Sequence, residues 1–594
     1  MNSGIEMNPK EVLLSASFHS WEKHLKGAKS LETLINTSTK FEVNQNEYFL
    51  VPFSPLDLAQ ENHLLLLKNW REANQFAYPT RFTVTIEGTQ RWLEKGVLGN
   101  ASRVLFWITD SSFVRLGHIG LLYLPETSSL EVDNVLRGEA GHPGLMTEAM
   151  KCLENLVETE LSLEEISLRV LQSNTHAVAF YENLNYTVTD KTPLMAVRDG
   201  DTLSLIPGSP AVDTFLTLSK SLLETRSVPN EILTAGPSIS TREISYVTDA
   251  ATSGWNSRHS DYITRFENSF AEYVGAKYAM ATSSCTGALH LSLMALGIGP
   301  GDEVIVPDVT WVATASAVMY TGAKPIFADI NVSDWTINLD SIRSLISNKT
   351  KAIMPVHLYG YGAAMNQIME IAHEHNLYVI EDAAPAIGTE INGKRAGTFG
   401  DFGCFSFQGA KLLVTGEGGM LVTDNEELFK RAKKDQDHGR KPGTFWIDEL
   451  GHKYKMNNIT AALGLAQIER AENQIFRKRR INSWYTENLS DVSSISFQSE
   501  TSGTSSICWM TSFTLNEDSS ISRDELIYSL KQDGIDSRPV FPAISQYPIW
   551  QYEPEIQPNA MKIGSTGINL PSGVMLSKTA IERVSVSIRK ALRN

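Results

Sequence analysis

The sequence predicts an α/β chain built as two units, and three observations carry that expectation. At 594 residues the chain exceeds a single core, since domains run to roughly 150 residues each. Beyond about residue 230, strand-like runs (DEVIVPD, KPIFADI, KAIMPVHLYG, LYVIEDAA) alternate with helical stretches such as NQIMEIAHEH, the pattern of a parallel sheet covered on both faces. Between about 46 and 206, short β-rich runs mix with helical ones, and a Pro/Gly/Ser/Thr cluster, TAGPSIS, marks the boundary that follows.

Taken in order, residues 1–45 show a weak helical pattern (Leu13, Leu14, Phe18, Trp21, Leu25) and read as an N-terminal extension without an assigned role. Residues 46–206 form the first α/β domain, with strands RVLFWITD, LGHIGLLYL, SLEVDNVL and ISLRVL and helices LMTEAMKCLENLVETE and NTHAVAFYENL. Residues 207–230 read as a linker and 231–594 as the second unit, whose length calls for a smaller C-terminal lobe from about 470. With 52 basic against 68 acidic residues the net charge is −16, which argues against a nucleic-acid partner. Cys152, Cys285, Cys404 and Cys508 stand far apart, without a CxxC pair, so they predict free thiols in a reducing compartment and no metal site. No signal peptide and no long apolar run appears, so a cytoplasmic protein without membrane attachment is expected.

In the second unit, Asp382 follows an apolar strand in YVIEDAAPAIG, where ligand-facing groups gather at the carboxyl ends of parallel strands; a helix N-cap would look the same. Lys411 lies in GDFGCFSFQGAKLLVTGEGGMLVTD, among apolar residues and ahead of a glycine-rich turn. Desolvation there lowers a lysine pKa and frees the amine for imine chemistry. An imine-forming lysine and a carboxylate for a pyridinium nitrogen are the two groups that pyridoxal phosphate requires.

These residues, with SGWNSRHSDYITRFENSFAEYVGAKYAMATSSCTGALHLSLMALGIGPGDEVIVPDVTWVATASAVMYTGAKPIFADI, EDAAPAIG, FSFQGAK, GEGGM, NNITAALGLAQIER, DSRPVF and INLPS, resemble the DegT-type sugar-nucleotide aminotransferases, in the branch of perosamine synthase. The resemblance implies an aspartate-aminotransferase-like fold (PLP fold type I), a homodimer through this domain, pyridoxal 5'-phosphate as cofactor, L-glutamate as amino donor and a nucleotide-sugar substrate. It makes Lys411 the Schiff-base lysine, Asp382 the partner of the pyridinium nitrogen and Trp311 the aromatic stacked on the cofactor ring. Ser284, Cys285 and Thr286 match the phosphate turn at a helix start, where plain N-capping is also open. Ser406 resembles a further phosphate ligand. Arg538 is a candidate substrate anion clamp, for which a structural salt bridge is the alternative. Three positions depart from the family pattern. Pro385 replaces a polar residue, Lys453 stands where an Asn reaches the neighbouring subunit's phosphate and takes over that cofactor contact as a point charge, and Cys285 replaces Gly.

In the first unit, LRVLQSNTHAVAFYENLNYTV places Asn174 at a helix start and Tyr181 toward that helix's end. This resembles the last motif of the GNAT N-acetyltransferases, with Asn185-Tyr186 in place of Gly-Phe. The resemblance implies acetyl-CoA as co-substrate, Asn174 on the pantetheine arm, and Tyr181 as proton donor to the departing thiolate; a core tyrosine is the alternative. Arg137, Gly138, Gly141 and Gly144 resemble a partial pyrophosphate loop ahead of a helix. Glu131 or Asp133 is a candidate to accept the amine proton through water, or is simply a solvated strand carboxylate. Together the two units imply amination of a nucleotide-linked 4-keto-6-deoxyhexose followed by N-acetylation of the new amine. The rival readings make the first unit a non-catalytic CoA-binding or structural module, the second a cofactor-bound sensor, or the substrate a 3-keto sugar.

Overall fold

The computed structural model describes residues 9–28, 30–222, 230–550 and 552–593. They divide into two compact units, the first within Met1–Arg226 and Ile239–Ser245, the second within Ser227–Ser238 and Tyr246–Asn594.

The first unit is a ten-stranded sheet with helices. Its principal elements are α1 (Pro9–Lys26), β1 (Thr39–Val43), β2 (Asn46–Pro52), α2 (Glu61–Ala73), β3 (Thr80–Arg81), β4 (Arg103–Asp110) and β5 (Arg115–Leu124). Then follow β6 (Ser129–Arg137), α3 (Leu145–Leu161), β7 (Glu165–Leu171), α4 (Thr175–Glu182), β8 (Thr187–Asp199), β9 (Thr202–Pro207) and β10 (Asp213–Ser221). The strand order is β1-β2-β4-β5-β6-β7-β10-β8-β9-β3. Helix α3 forms because Leu145, Ala149, Met150, Leu153, Leu156 and Val157 recur at helical spacing and bury one face.

Two boundaries differ from the sequence expectation. Within the expected extension, α1 is not an appendage: Leu14, Phe18, Trp21 and Leu25 share a core with α3 and strands β4 and β5. The segment 207–230 is not only a linker, because β10 lies inside the sheet, antiparallel to both β7 and β8. Its strand signal is masked in sequence by polar residues. Leu216 and Leu218 alternate inward with Lys220, whose ammonium is buried only because Glu154 answers it at 2.7 Å.

Strands β6 and β7 run parallel but pair only at Glu131–Ser167 and Val132–Leu168. Beyond those pairs they part, and a cavity of about 730 Å³ opens, lined by residues of β6, β7, α2 and α4.

The second unit is built on a seven-stranded sheet. Its elements are β11 (Tyr278–Thr282), α5 (Cys285–Ala295), β12 (Glu303–Pro307), α6 (Ala313–Tyr320), β13 (Lys324–Ala328), β14 (Thr350–Ile353), α7 (Met365–His375), β15 (Tyr378–Asp382), β16 (Phe402–Ser406) and β17 (Gly419–Thr423). The order is β11-β17-β16-β15-β14-β12-β13. The five strands from β16 to β13 are parallel to their neighbours, as the alternating runs predict. The edge departs from that prediction, with β17 antiparallel to both β16 and β11. From Ala471 onward the chain adds α8 (Ala471–Asn488), the strands β18 (Ile495–Phe497), β19 (Ser512–Leu515), β20 (Arg538–Pro539) and β21 (Gly567–Asn569), and α9 (Lys578–Arg593). These four strands form a separate antiparallel sheet.

Candidate functional sites

Asp382 ends β15, and Lys411 sits in the loop between β16 and β17, two strand ends that the parallel pairing of β15 with β16 brings side by side. The carboxylate is buried; one oxygen accepts from Thr314 Oγ1 at 2.7 Å and the other from the Ala384 N–H at 3.1 Å. Burial pushes its pKa up, while those hydrogen bonds and the charges of Lys411 and His357 pull it down. Desolvation pushes Lys411 down to about 8, with Asp382 and Cys285 acting in the opposite direction. The result is an amine with a substantial neutral fraction near physiological pH.

Trp509 fixes this lysine from the side. Its ring centre lies 3.8 Å from Lys411 Nζ, and its indole N–H donates to the Ala410 carbonyl at 2.9 Å. The Trp509 carbonyl in turn accepts from Lys478 Nζ at 2.7 Å. Neither Trp509 nor Thr314 was visible in sequence, since each meets its partner only through the fold. Behind Asp382, His357 Nε2 lies 3.1 Å from Glu381 Oε2 and its Nδ1 accepts from the Ala363 N–H at 3.1 Å.

The phosphate turn is a helix start. Ser284 caps α5 by accepting from the Gly287 N–H at 3.0 Å, so the capping alternative holds for this residue. Cys285 and Thr286 open the first turn, whose N–H groups lack intrahelical acceptors and favour an anion. Gly419 makes that turn possible: a Cβ there would lie 2.5 Å from the Cys285 nitrogen. Ser406, at the end of β16, accepts from the Gln408 N–H at 3.4 Å. A desolvated amine, a buried carboxylate and a helix start packed against a glycine fit pyridoxal 5'-phosphate.

Trp311 precedes α6 and is 59% exposed, with its ring centre 5.8 Å from that of Phe541. Thr314 joins the Trp311 segment to Asp382, donating to the carboxylate one turn further on. Arg538 lies on β20 with its guanidinium exposed and 3.6 Å from Asp536, the salt-bridge alternative, three residues ahead of the Phe541 that meets Trp311. Lys453 is more than half exposed and 3.7 Å from Asp437.

In the first unit the cavity brings together Arg137, Asn174, Tyr181, Glu131 and Asp133. Tyr181 is 8% exposed and burial holds its hydroxyl protonated, the state a proton donor requires. Asn174 caps α4, accepting from the Ala177 N–H at 3.3 Å. Both candidate bases are committed elsewhere: Glu131 accepts from Arg169 Nε at 3.0 Å, and Asp133 lies 2.8 Å from Arg103 Nε. Each carboxylate is thus already engaged by a guanidinium. In the loop, Gly141 and Gly144 take φ of +98° and +82° ahead of α3, whereas Gly138 is required by packing, since a Cβ there would strike the Trp70 ring at 2.2 Å. Sequence reasoning missed Arg71, Tyr78 and His118, which also line the cavity.

Residues 237–589 match the DegT/DnrJ/EryC1/StrS aminotransferase family, and residues 48–187 match an acetyltransferase (GNAT) domain. The chain is 42% identical to GDP-perosamine synthase of Escherichia coli O157:H7 over 355 residues, 60% of this chain and 96% of that protein. It is 38% identical to GDP-perosamine synthase of Caulobacter vibrioides over 367 residues, 61% of this chain and 98% of that protein. A crystal structure of a DegT/DnrJ/EryC1/StrS aminotransferase from Brucella abortus superposes with a TM-score of 0.56 at 28% identity, covering 59% of this chain and 96% of that one.

Proposed function

Since the chain belongs to the DegT/DnrJ/EryC1/StrS aminotransferase family, we propose that it moves the amino group of L-glutamate onto a nucleotide-linked 4-keto-6-deoxyhexose and then N-acetylates that amine. The second unit is the pyridoxal-phosphate-dependent transferase, and the first carries a GNAT domain, whose acyl donor is acetyl-CoA. The perosamine synthases named above favour a GDP-linked sugar. A cytoplasmic homodimer through the second unit is part of this reading, as is a role in supplying surface polysaccharide.

The observation that carries the amination is the desolvated Lys411 amine next to buried Asp382. Bound pyridoxal 5'-phosphate supplies an electron sink for the carbon that loses its proton. Lys411 Nζ, partly neutral near pH 8, would take up that proton from the substrate carbon and deliver it to the cofactor carbon two atoms away. Asp382, held by Thr314 and the Ala384 N–H, presents its carboxyl group at the strand end, where it would face the pyridinium nitrogen. The start of α5 would hold the phosphate, and Trp311 would cover the ring. In the first unit, Tyr181 supplies the proton that the thiolate takes as it leaves.

The test is mass spectrometry of products from the full chain with pyridoxal phosphate, L-glutamate and a panel of 4-keto-6-deoxy nucleotide sugars, first without acetyl-CoA. A free amino sugar on the GDP-linked member is expected. Amination of none of the panel overturns the reading.

A further inference from the structure

The cavity of the first unit carries four arginines, and they are not equivalent. Arg103 and Arg169 are each answered by a carboxylate of β6, Asp133 and Glu131. Arg137 stands exposed at the end of β6, with Nε donating to the Glu139 carbonyl at 3.1 Å, on the side where the resemblance places the CoA pyrophosphate. Arg71, on α2, has no carboxylate partner among the described residues. Its Nη2 donates to the Thr80 carbonyl at 2.8 Å, its guanidinium carbon lies 3.3 Å from the centre of the Tyr78 ring, and Nη1 is buried without any hydrogen-bond partner.

Arg71 lines the cavity with a positive charge that no carboxylate among the described residues answers, the complement of an anionic group on a ligand. The aromatic stack and the Thr80 bond hold the group in one orientation, so little side-chain entropy is left to lose on binding. Tyr78 is also near enough to the reacting end for its hydroxyl to influence Tyr181 electrostatically. We propose that Arg71 is the acceptor-side anion contact of the acetyltransferase: its guanidinium binds a phosphoryl oxygen of the amino sugar's nucleoside diphosphate. The first unit therefore acetylates nucleotide-linked amino sugars in preference to free ones. This rests on the acetylation reading above and names the substrate class of that same cavity.

Initial rates of the full chain are compared on a nucleotide-linked amino sugar and on the same amino sugar as a neutral methyl glycoside. The wild type is expected to prefer the nucleotide-linked acceptor. Arg71→Gln should raise KM for that acceptor on the order of 10- to 100-fold, the worth of a charged hydrogen bond, with KM for acetyl-CoA and the rate on the glycoside unchanged. Arg71→Lys, which keeps the charge, should recover part of the loss. Equal losses on both acceptors, no loss, a changed acetyl-CoA KM, or a wild type indifferent to the nucleotide each overturns the proposal while acetylation stands. A wild type that acetylates neither acceptor overturns the acetylation reading as well. If Arg71→Gln does not fold, the wild-type preference and the lysine variant decide.

Discussion

At the residue scale, the chemistry of the second unit turns on the protonation of one amine. Burial lowers Lys411 to about 8, so its neutral, nucleophilic fraction rises as pH increases through that value and levels off above it. Cofactor uptake by the cofactor-free chain, followed by visible absorbance, should therefore accelerate from pH 6 to about 8 and then flatten. A rise continuing to the ordinary lysine range near 10.4 would show the amine to be solvated. Lys411 and Asp382 were legible in sequence because each sits in a local apolar context at a strand end. Thr314 and Trp509 were not, because the contacts that matter, Thr314 to Asp382 and Trp509 to Lys411, span long sequence separations and leave no local trace. The same is true of the Glu131–Arg169 and Asp133–Arg103 pairs, which engage two carboxylates that looked available as bases.

At the element scale, the phosphate turn and the N-terminal helix give the clearest tests. Gly419 opens β17 directly beneath the start of α5, where a Cβ would lie 2.5 Å from the Cys285 nitrogen and 2.5 Å from the Ser284 carbonyl carbon. Backbone cannot yield there as a side-chain tip can, so Gly419→Ala should weaken pyridoxal phosphate binding by about tenfold or more, read by equilibrium dialysis, through displacement of the turn. Trp21, 1% exposed, packs within the first unit's core with its ring centre 6.1 Å from that of Phe106. Trp21→Ala should cost that unit about 3–5 kcal/mol in denaturant unfolding. A negligible cost would return α1 to the status of an appendage. The apolar stripe of α1 was legible in sequence, but what it packs against was not, since amphipathic periodicity names a face and no partner. Strand β10 was hidden more deeply. Its alternation runs through Thr, Ser and Lys, and its place between β7 and β8 is a non-consecutive insertion that no local pattern specifies.

At the scale of the whole molecule, the chain joins a DegT aminotransferase to a GNAT domain, each with its own machinery in its own unit. The fold class and the succession of units were legible because the motifs of each family occur in order along the chain. Separate machinery predicts separable losses. Lys411→Ala should abolish amination, by at least about 10³-fold given what a positioned proton carrier contributes, and leave acetylation of a preformed amino sugar intact. Tyr181→Phe should do the reverse. Parallel loss of both activities in either variant, measured by separate rate assays, would contradict two independent sites.

The central claim is that both units act in succession on one sugar. The most direct measurement is mass spectrometry of the product formed by the full chain from a GDP-linked 4-keto-6-deoxyhexose, L-glutamate labelled in its amino nitrogen, and acetyl-CoA labelled in its acetyl group. The account predicts a single nucleotide-sugar product carrying both labels, preceded in time by one carrying the nitrogen label alone. A sugar that gains the labelled nitrogen and never the acetyl label would contradict it.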